Sequence, residues 1–344
     1  YWYEQAALQG DAHAQSYLAN MYSEGKGVAQ DYAQARDWYT KSAAQGYSEA
    51  AYSLGYLYES GLGGEQDYAA AMKYYKQAAD DEHVSAYYRL GIMFGKGMGV
   101  AKDTDEAIQW YKLAANKGHS DAQIGLGYFY QSKQDHISAH SWYKKAMGNE
   151  NAKAYAHIGD LYRLGYGVAQ DYELAYQFYL KGAEKGDILA YRRLAYMYSC
   201  GDGVDQDIDT AIIWYTKAAE KGDANAMGGL ASHYVLQEDP EQALYWAVQA
   251  VESGNNDAMA VLRMLDPEGK GKGRDLKKAK ELLAKGDAYS QSVVGLKREA
   301  EKKYSDAAYW YSLAAEQGNC FAQMRLAQLY SDWKGVSIAK QKAE

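Results

Sequence analysis

Proline is nearly absent from this 344-residue chain, which has 2, and there are only 2 cysteines and 4 phenylalanines. So little proline leaves few points at which a helix must break, and the composition reads as mostly helix. There is no excess of positive charge either. A formal net charge of -8 excludes a broad phosphate-binding surface, which needs clustered Lys and Arg to displace counterions, so nucleic acid is not expected as a partner. No apolar run reaches the ~18 residues of a membrane span. No Gly-x-x-x-x-Gly-Lys-Ser/Thr loop and no Gly-x-Ser-x-Gly elbow occurs, so neither a nucleotide cofactor nor a hydrolase nucleophile is indicated.

What is abundant is tyrosine, at 36 residues, and it recurs in register. The string Trp38-Tyr39-Thr40-Lys41-Ser42-Ala43-Ala44-Gln45-Gly46 returns at Trp110 to Gly118 and at Trp214 to Gly222. Its closing position runs Gly10, Gly46, Glu82, Gly118, Glu150, Gly186, Gly222, Gly254, Gly286, Gly318. Steps of about 36 or about 32 residues mark a solenoid of short modules, each burying its face on its neighbours. The chain is therefore read as one domain, 1–344. Complete modules are expected at 11–46, 47–82, 83–118, 119–150, 151–186, 187–222, 223–254, 255–286 and 287–318, with partial ones at 1–10 and 319–344. Tyr1 opens inside a module, and the expectation is that the natural N-terminus lies upstream, so the lack of a leader peptide carries no weight.

Each module reads as two helices. In the first of them, Asp11 precedes Ala14, Leu18, Ala19 and Tyr22, an apolar stripe of helical period behind a good N-cap. Gly25-Lys26-Gly27-Val28 supplies the stop, Asp31 with Gln34 a second start, and Ala35, Trp38, Tyr39 and Ala43 a second buried face. Asp239-Pro240 marks a helix start by capping and proline chemistry together. On this frame Cys200 and Cys320 lie four modules apart. In an extended stack they are expected to stay unpaired, because a disulfide needs Cα atoms within about 7 Å.

The composite Ala-x-x-x-Leu-Gly-x-x-Tyr-x-x-Gly-x-Gly-Val-x-x-Asp-Tyr-x-x-Ala-x-x-Trp-Tyr-x-x-Ala-Ala-x-x-Gly resembles the Sel-1-like repeat family, relatives of the tetratricopeptide repeats. Residues 154–186 carry it nearly complete, from Ala154, Ile158-Gly159 and Tyr162 through Gly165, Gly167-Val168 and Asp171-Tyr172 to Ala175, Phe178-Tyr179, Ala183 and Gly186. The resemblance implies an all-α, right-handed α/α solenoid of antiparallel helix pairs, with first helices lining the concave side. It also implies an adaptor role in bacterial envelope, secretion, signalling, virulence or immunity systems, without catalysis or cofactor. Some relatives carry a cysteine pair in each repeat and are reported to bind or hydrolyse penicillins; this chain lacks that pattern. The hydrolase reading and a self-associating assembly role remain the alternatives. No Asn lies in an Asn-x-Ser/Thr sequon, which favours a bacterial source; a periplasmic or secreted location is favoured over a cytoplasmic one, and the sequence does not fix the compartment.

Residues that every module shares build the core, so candidate binding residues are those that vary. Two and six residues after the first alanine of a module stand Tyr52 and Tyr56, Tyr88 and Ile92, Ile124 and Tyr128, Arg192 and Tyr196, with Arg89, His157 and Arg193 between them. They share one helical face. Tyr and Arg are the residue types that anchor protein interfaces, so Tyr52, Tyr56, Tyr88, Arg89, Tyr128, His157, Arg192, Arg193 and Tyr196 are expected to bind a protein or peptide. The competing reading of the tyrosines is gap-filling between modules. Two weaker features are His136 and His140, one turn apart near Asp135, and the basic stretch from Arg263 to Lys285.

Overall fold

The computed structural model describes residues 1–258, 260–261, 288–300 and 302–331. Among the described residues there are helices and turns and no strands. In chain order they are α1 (Trp2–Leu8), α2 (Ala12–Glu24), α3 (Tyr32–Ala44), α4 (Ser48–Ser60), α5 (Tyr68–Asp80), α6 (Val84–Lys96), α7 (Thr104–Asn116), α8 (Ser120–Ser132) and α9 (His136–Gly148). There follow α10 (Ala152–Leu164), α11 (Tyr172–Glu184), α12 (Ile188–Cys200), α13 (Ile208–Ala219), α14 (Ala224–Leu236), α15 (Pro240–Glu252), α16 (Ala288–Ala300), α17 (Tyr304–Glu316) and α18 (Cys320–Ser331). The fold is all-α, of the α/α solenoid class. Two compact units make it up, 1–154 with 166–168, and 155–165 with 169 onward.

The helices start where aspartate can accept from the first free N–H groups. Asp11 accepts from the Ala14 amide at 2.7 Å, Asp31 from those of Ala33 and Gln34, and Asp171 from that of Leu174. His83 and His119 do the same with Nδ1, toward Ala86 and Ala122. Many first helices end at a glycine in the left-handed region, such as Gly97 at φ 72°. The second glycine of that turn is needed for space: a Cβ on Gly99 would stand 2.8 Å from Cβ of Tyr68, at the start of the second helix one module earlier. In the shortened turn after α8 the left-handed position is filled by Gln134, at φ 61°.

Within a module, the two helices meet through a small residue and a ring. Tyr75, Tyr143, Tyr179 and Tyr311 on second helices are fully buried. Each lies against a glycine of the first helix, respectively Gly55, Gly127, Gly159 and Gly295. A Cβ on Gly159 would come within 2.5 Å of the Tyr179 ring. Ala50, Leu54, Ala71, Ala86 and Leu90 fill the rest of the seam in unit one, and Ala175, Ala190, Leu194 and Met197 do so in unit two.

One expectation is overturned in unit two. Cys200 and Cys320 form a disulfide, with Cα atoms 5.4 Å apart across a sequence separation of 120. The error was to treat the stack as straight. The first residue of α18 meets the last of α12, so modules distant in sequence come together in unit two. In the chain-entropy account, closing so long a loop removes about 5 kcal/mol from the unfolded ensemble.

Nearby, His233 is buried with Nδ1 2.7 Å from the carbonyl oxygen of Gly229 and Nε2 2.8 Å from the Ser199 hydroxyl. A carbonyl only accepts, so Nδ1 carries the proton and Nε2 is the acceptor facing Ser199. Burial pushes the His233 pKa below its ordinary value of 6.5, and it does so at His119 and His140 too.

Gly159→Ala is expected to lower stability by about 1–3 kcal/mol through overpacking on Tyr179. Gly148→Ala, where a new Cβ meets nothing within 4 Å, should be neutral or slightly stabilising. Denaturant midpoints of the two variants decide this. Gln134→Gly should raise stability by about 0.5–1 kcal/mol, since only glycine adopts the left-handed conformation without cost. For the histidines the unfolded chain takes up protons as pH falls through about 6.5 while the folded chain resists, so stability is full above that pH and lost below it. Chemical unfolding at pH 7.5 and 5.5 should show the loss, and His233→Gln should reduce it.

Candidate functional site

The variable residues of the first helices fall into two groups. In unit one, Tyr56 on α4 is 41% exposed and Tyr128 on α8 is 53% exposed, both six residues after the first alanine of their modules. Neither ring is taken into the core. Tyr52 and Tyr88, four residues earlier on their modules' frame, are half-buried. Tyr52 stacks on His83 with ring centroids 4.5 Å apart, and Tyr88 stacks on His119 at 4.4 Å. Those histidines cap the next first helix, so Tyr52 and Tyr88 fill space between modules. Burial raises the Tyr88 pKa, with the Asp121 carboxylate adding to the effect.

The arginines are already engaged. In unit one the Arg89 guanidinium lies 3.3 Å from Glu59, which also accepts from the hydroxyl of the buried Tyr75, and 5.4 Å from the ring centre of Tyr56. Burial opposes the charge on Arg89, but Glu59 prevails and its pKa is raised. Unit two repeats the arrangement with different residues. Asp160, 7% exposed, accepts from Tyr179 at 2.7 Å and from Arg193 at 2.9 Å. Burial and then the Asp160 carboxylate push the Tyr179 pKa far up. A third copy joins Tyr311, Glu299 and Arg325.

Each such triad links a second helix, the first helix of its own module and the first helix of the next. Charge-assisted bonds of this kind contribute about 1.5–3 kcal/mol each. Arg192 has a different task, lying 3.3 Å from Asp223, the residue that caps α14. Arg89, Arg192 and Arg193, expected to bind a partner, are thus held by carboxylates of the chain itself. His157, expected on the same face, is 5% exposed and part of the interior.

Tyr196, at the same frame position as Tyr56 and Tyr128, is half-buried against the turn that leads into α18. Its hydroxyl donates to the carbonyl oxygen of Gly318 at 3.3 Å, and Arg163 lies 5.2 Å from its ring centre. The triads were missed in the sequence because their acceptors change position. Glu59 and Glu299 stand nine residues after the module's reference position, and Asp160 stands six after it. The common signal is an Arg three residues after that position in the following module, as at Arg89, Arg193 and Arg325.

The weaker features resolve differently. Asp135 accepts from the Ser138 amide at the start of its own helix, and His136 lies flat on the Tyr166 ring at 4.5 Å. The basic stretch Arg263 to Lys285, and most of the module 255–286, lie outside the described residues.

The Sel1 repeat pattern matches residues 1–11, 12–47, 48–83, 84–119, 120–146, 152–187, 188–223, 226–255, 268–286 and 288–319. No curated protein matches the chain. Among solved structures it is similar to a protective antigen of uropathogenic Escherichia coli displaying an SLR fold, at 32% identity over 98% of this chain and 75% of that one, with a TM-score of 0.64. A Sel1 repeat protein from Oxalobacter formigenes matches at 32% identity over 70% of this chain and 86% of that one, with a TM-score of 0.43. An immunity protein from Pseudomonas aeruginosa matches at 20% identity over 61% and 81%, with a TM-score of 0.42. Proteins of this repeat type are generally non-catalytic scaffolds that mediate protein–protein interaction. With Sel1 repeats matched along most of its length and their helix pairs in its fold, the chain belongs to the Sel1 repeat family.

Proposed function

We propose that this protein is a non-catalytic adaptor that holds a protein or peptide on the first-helix face of its modules, with Tyr56 and Tyr128 as the anchors in unit one. The observation that carries this is their exposure, where the repeated tyrosines of the first helices are partly buried and those of the second helices, such as Tyr75, Tyr143 and Tyr179, fully buried. A tyrosine offers a large rigid ring and a hydroxyl for few lost rotamers, which suits it to a preformed surface. Tyr52 and Tyr88 support the floor of that face by stacking on the capping histidines. Arg89 serves by fixing the Tyr56 ring while it is itself held by Glu59.

Two observations favour an oxidising bacterial compartment, periplasmic or secreted. The Cys200–Cys320 disulfide is of the kind that persists outside the reducing cytosol. The likeness to a protective antigen of uropathogenic E. coli, over 98% of this chain, favours an envelope or host-contact role with a bearing on virulence.

The test is affinity capture from the native host with the wild-type chain and with Tyr56→Ala/Tyr128→Ala. The double variant should keep its helix content and melting temperature and lose at least most of the captured partner. Unchanged capture would contradict the reading, and so would a large loss of stability, which would make these rings part of the core.

A further inference from the structure

The frame position that is exposed at Tyr56 and Tyr128 in unit one is half-buried at Tyr196 in unit two, where the C-terminal end of the chain lies against it. Among the described residues, three links hold this end of the chain, from Gly318 into α18, against the module containing α12. The Tyr196 hydroxyl donates to the Gly318 carbonyl, the Gln206 side-chain amide donates to the Met324 sulfur at 2.9 Å, and Cys200 is bonded to Cys320. The first is a long hydrogen bond at 3.3 Å, and the second goes to a weak thioether acceptor. The covalent bond is thus the strongest of the three. It joins the last residue of α12 to the first of α18, and both cysteines are only partly buried, within reach of a small thiol.

We propose that the Cys200–Cys320 disulfide is a redox clasp: while oxidised it holds α18 and the Gly318 turn before it against α12, covering Tyr196, and its reduction uncovers that tyrosine. The reductant is a dithiol. One of its thiolates attacks a sulfur of the bond and displaces the other cysteine as a thiolate, which takes up a proton. Its second thiol then resolves the mixed disulfide. Two electrons and two protons leave the dithiol, which becomes a disulfide, and Cys200 and Cys320 become thiols.

The clasp rests on the reading of Tyr56, Tyr128 and Tyr196 as one binding position, but its test needs no partner, so the two can fail separately. The full chain is nitrated with tetranitromethane in three forms: oxidised, reduced with dithiothreitol and alkylated, and as Cys200→Ser/Cys320→Ser. Nitration is read by peptide mass spectrometry at Tyr196, with Tyr56 as the exposed reference and Tyr179 as the buried one. The expected result is a several-fold rise at Tyr196 in the reduced and serine forms, approaching Tyr56, with Tyr179 unchanged. No rise at Tyr196 overturns the proposal. A parallel rise at Tyr179 also overturns it, because the bond would then hold the fold of unit two rather than a cover. Two free thiols in the oxidised chain would overturn it outright.

Discussion

A glycine on the first helix, pressed under a tyrosine ring from the second, is the contact on which the rest of this structure depends. Without a side chain at Gly159, the Tyr179 ring enters the helix interface fully and its hydroxyl reaches Asp160. Asp160, fixed there, can hold Arg193 of the next module. Packing inside one module thereby sets a polar tie to its neighbour, and the same sequence of steps recurs at Gly55, Tyr75, Glu59 and Arg89. In a repeat protein, where stability is a sum of module and neighbour terms, a contact that serves both is disproportionately important.

The repeated part of the fold was legible because its physics is local. Aspartate caps, glycine stops and apolar residues of helical period occupy the same places in module after module, and the helices begin and end there. What was not legible depends on how modules turn against one another. The Cys200–Cys320 bond needs α18 to come back to α12, which no spacing within a module encodes. The arginine ties were hidden for a related reason: from different turns of the first helix, Glu59 and Asp160 both reach a tyrosine of the second, so alignment by repeat separates residues that do one job.

For the candidate surface the sequence offered nine residues on one helical face, and the structure places them in different surroundings. Subtracting the repeated positions left nine, of which Tyr56 and Tyr128 are exposed, Tyr52 and Tyr88 stack between modules, and Tyr196 lies against the turn that leads into α18. The arginines were assigned to a partner because nothing in the sequence showed their carboxylates. Their engagement gives the face a different character: fixed rings on a rigid support, with the cationic groups neutralised from within. Such a surface recognises by shape and by hydroxyl donors more than by charge.

The central claim is that repeated residues build the scaffold and the variable tyrosines of the first helices bind. Site-specific photo-crosslinking in the native host tests it most directly, with a benzophenone amino acid placed at 56 or 128 and, for comparison, at Leu113 or Ile137, exposed apolar positions on second helices. The account predicts that 56 and 128 trap the same protein and that 113 and 137 do not. Adducts formed only from 113 and 137 would contradict it.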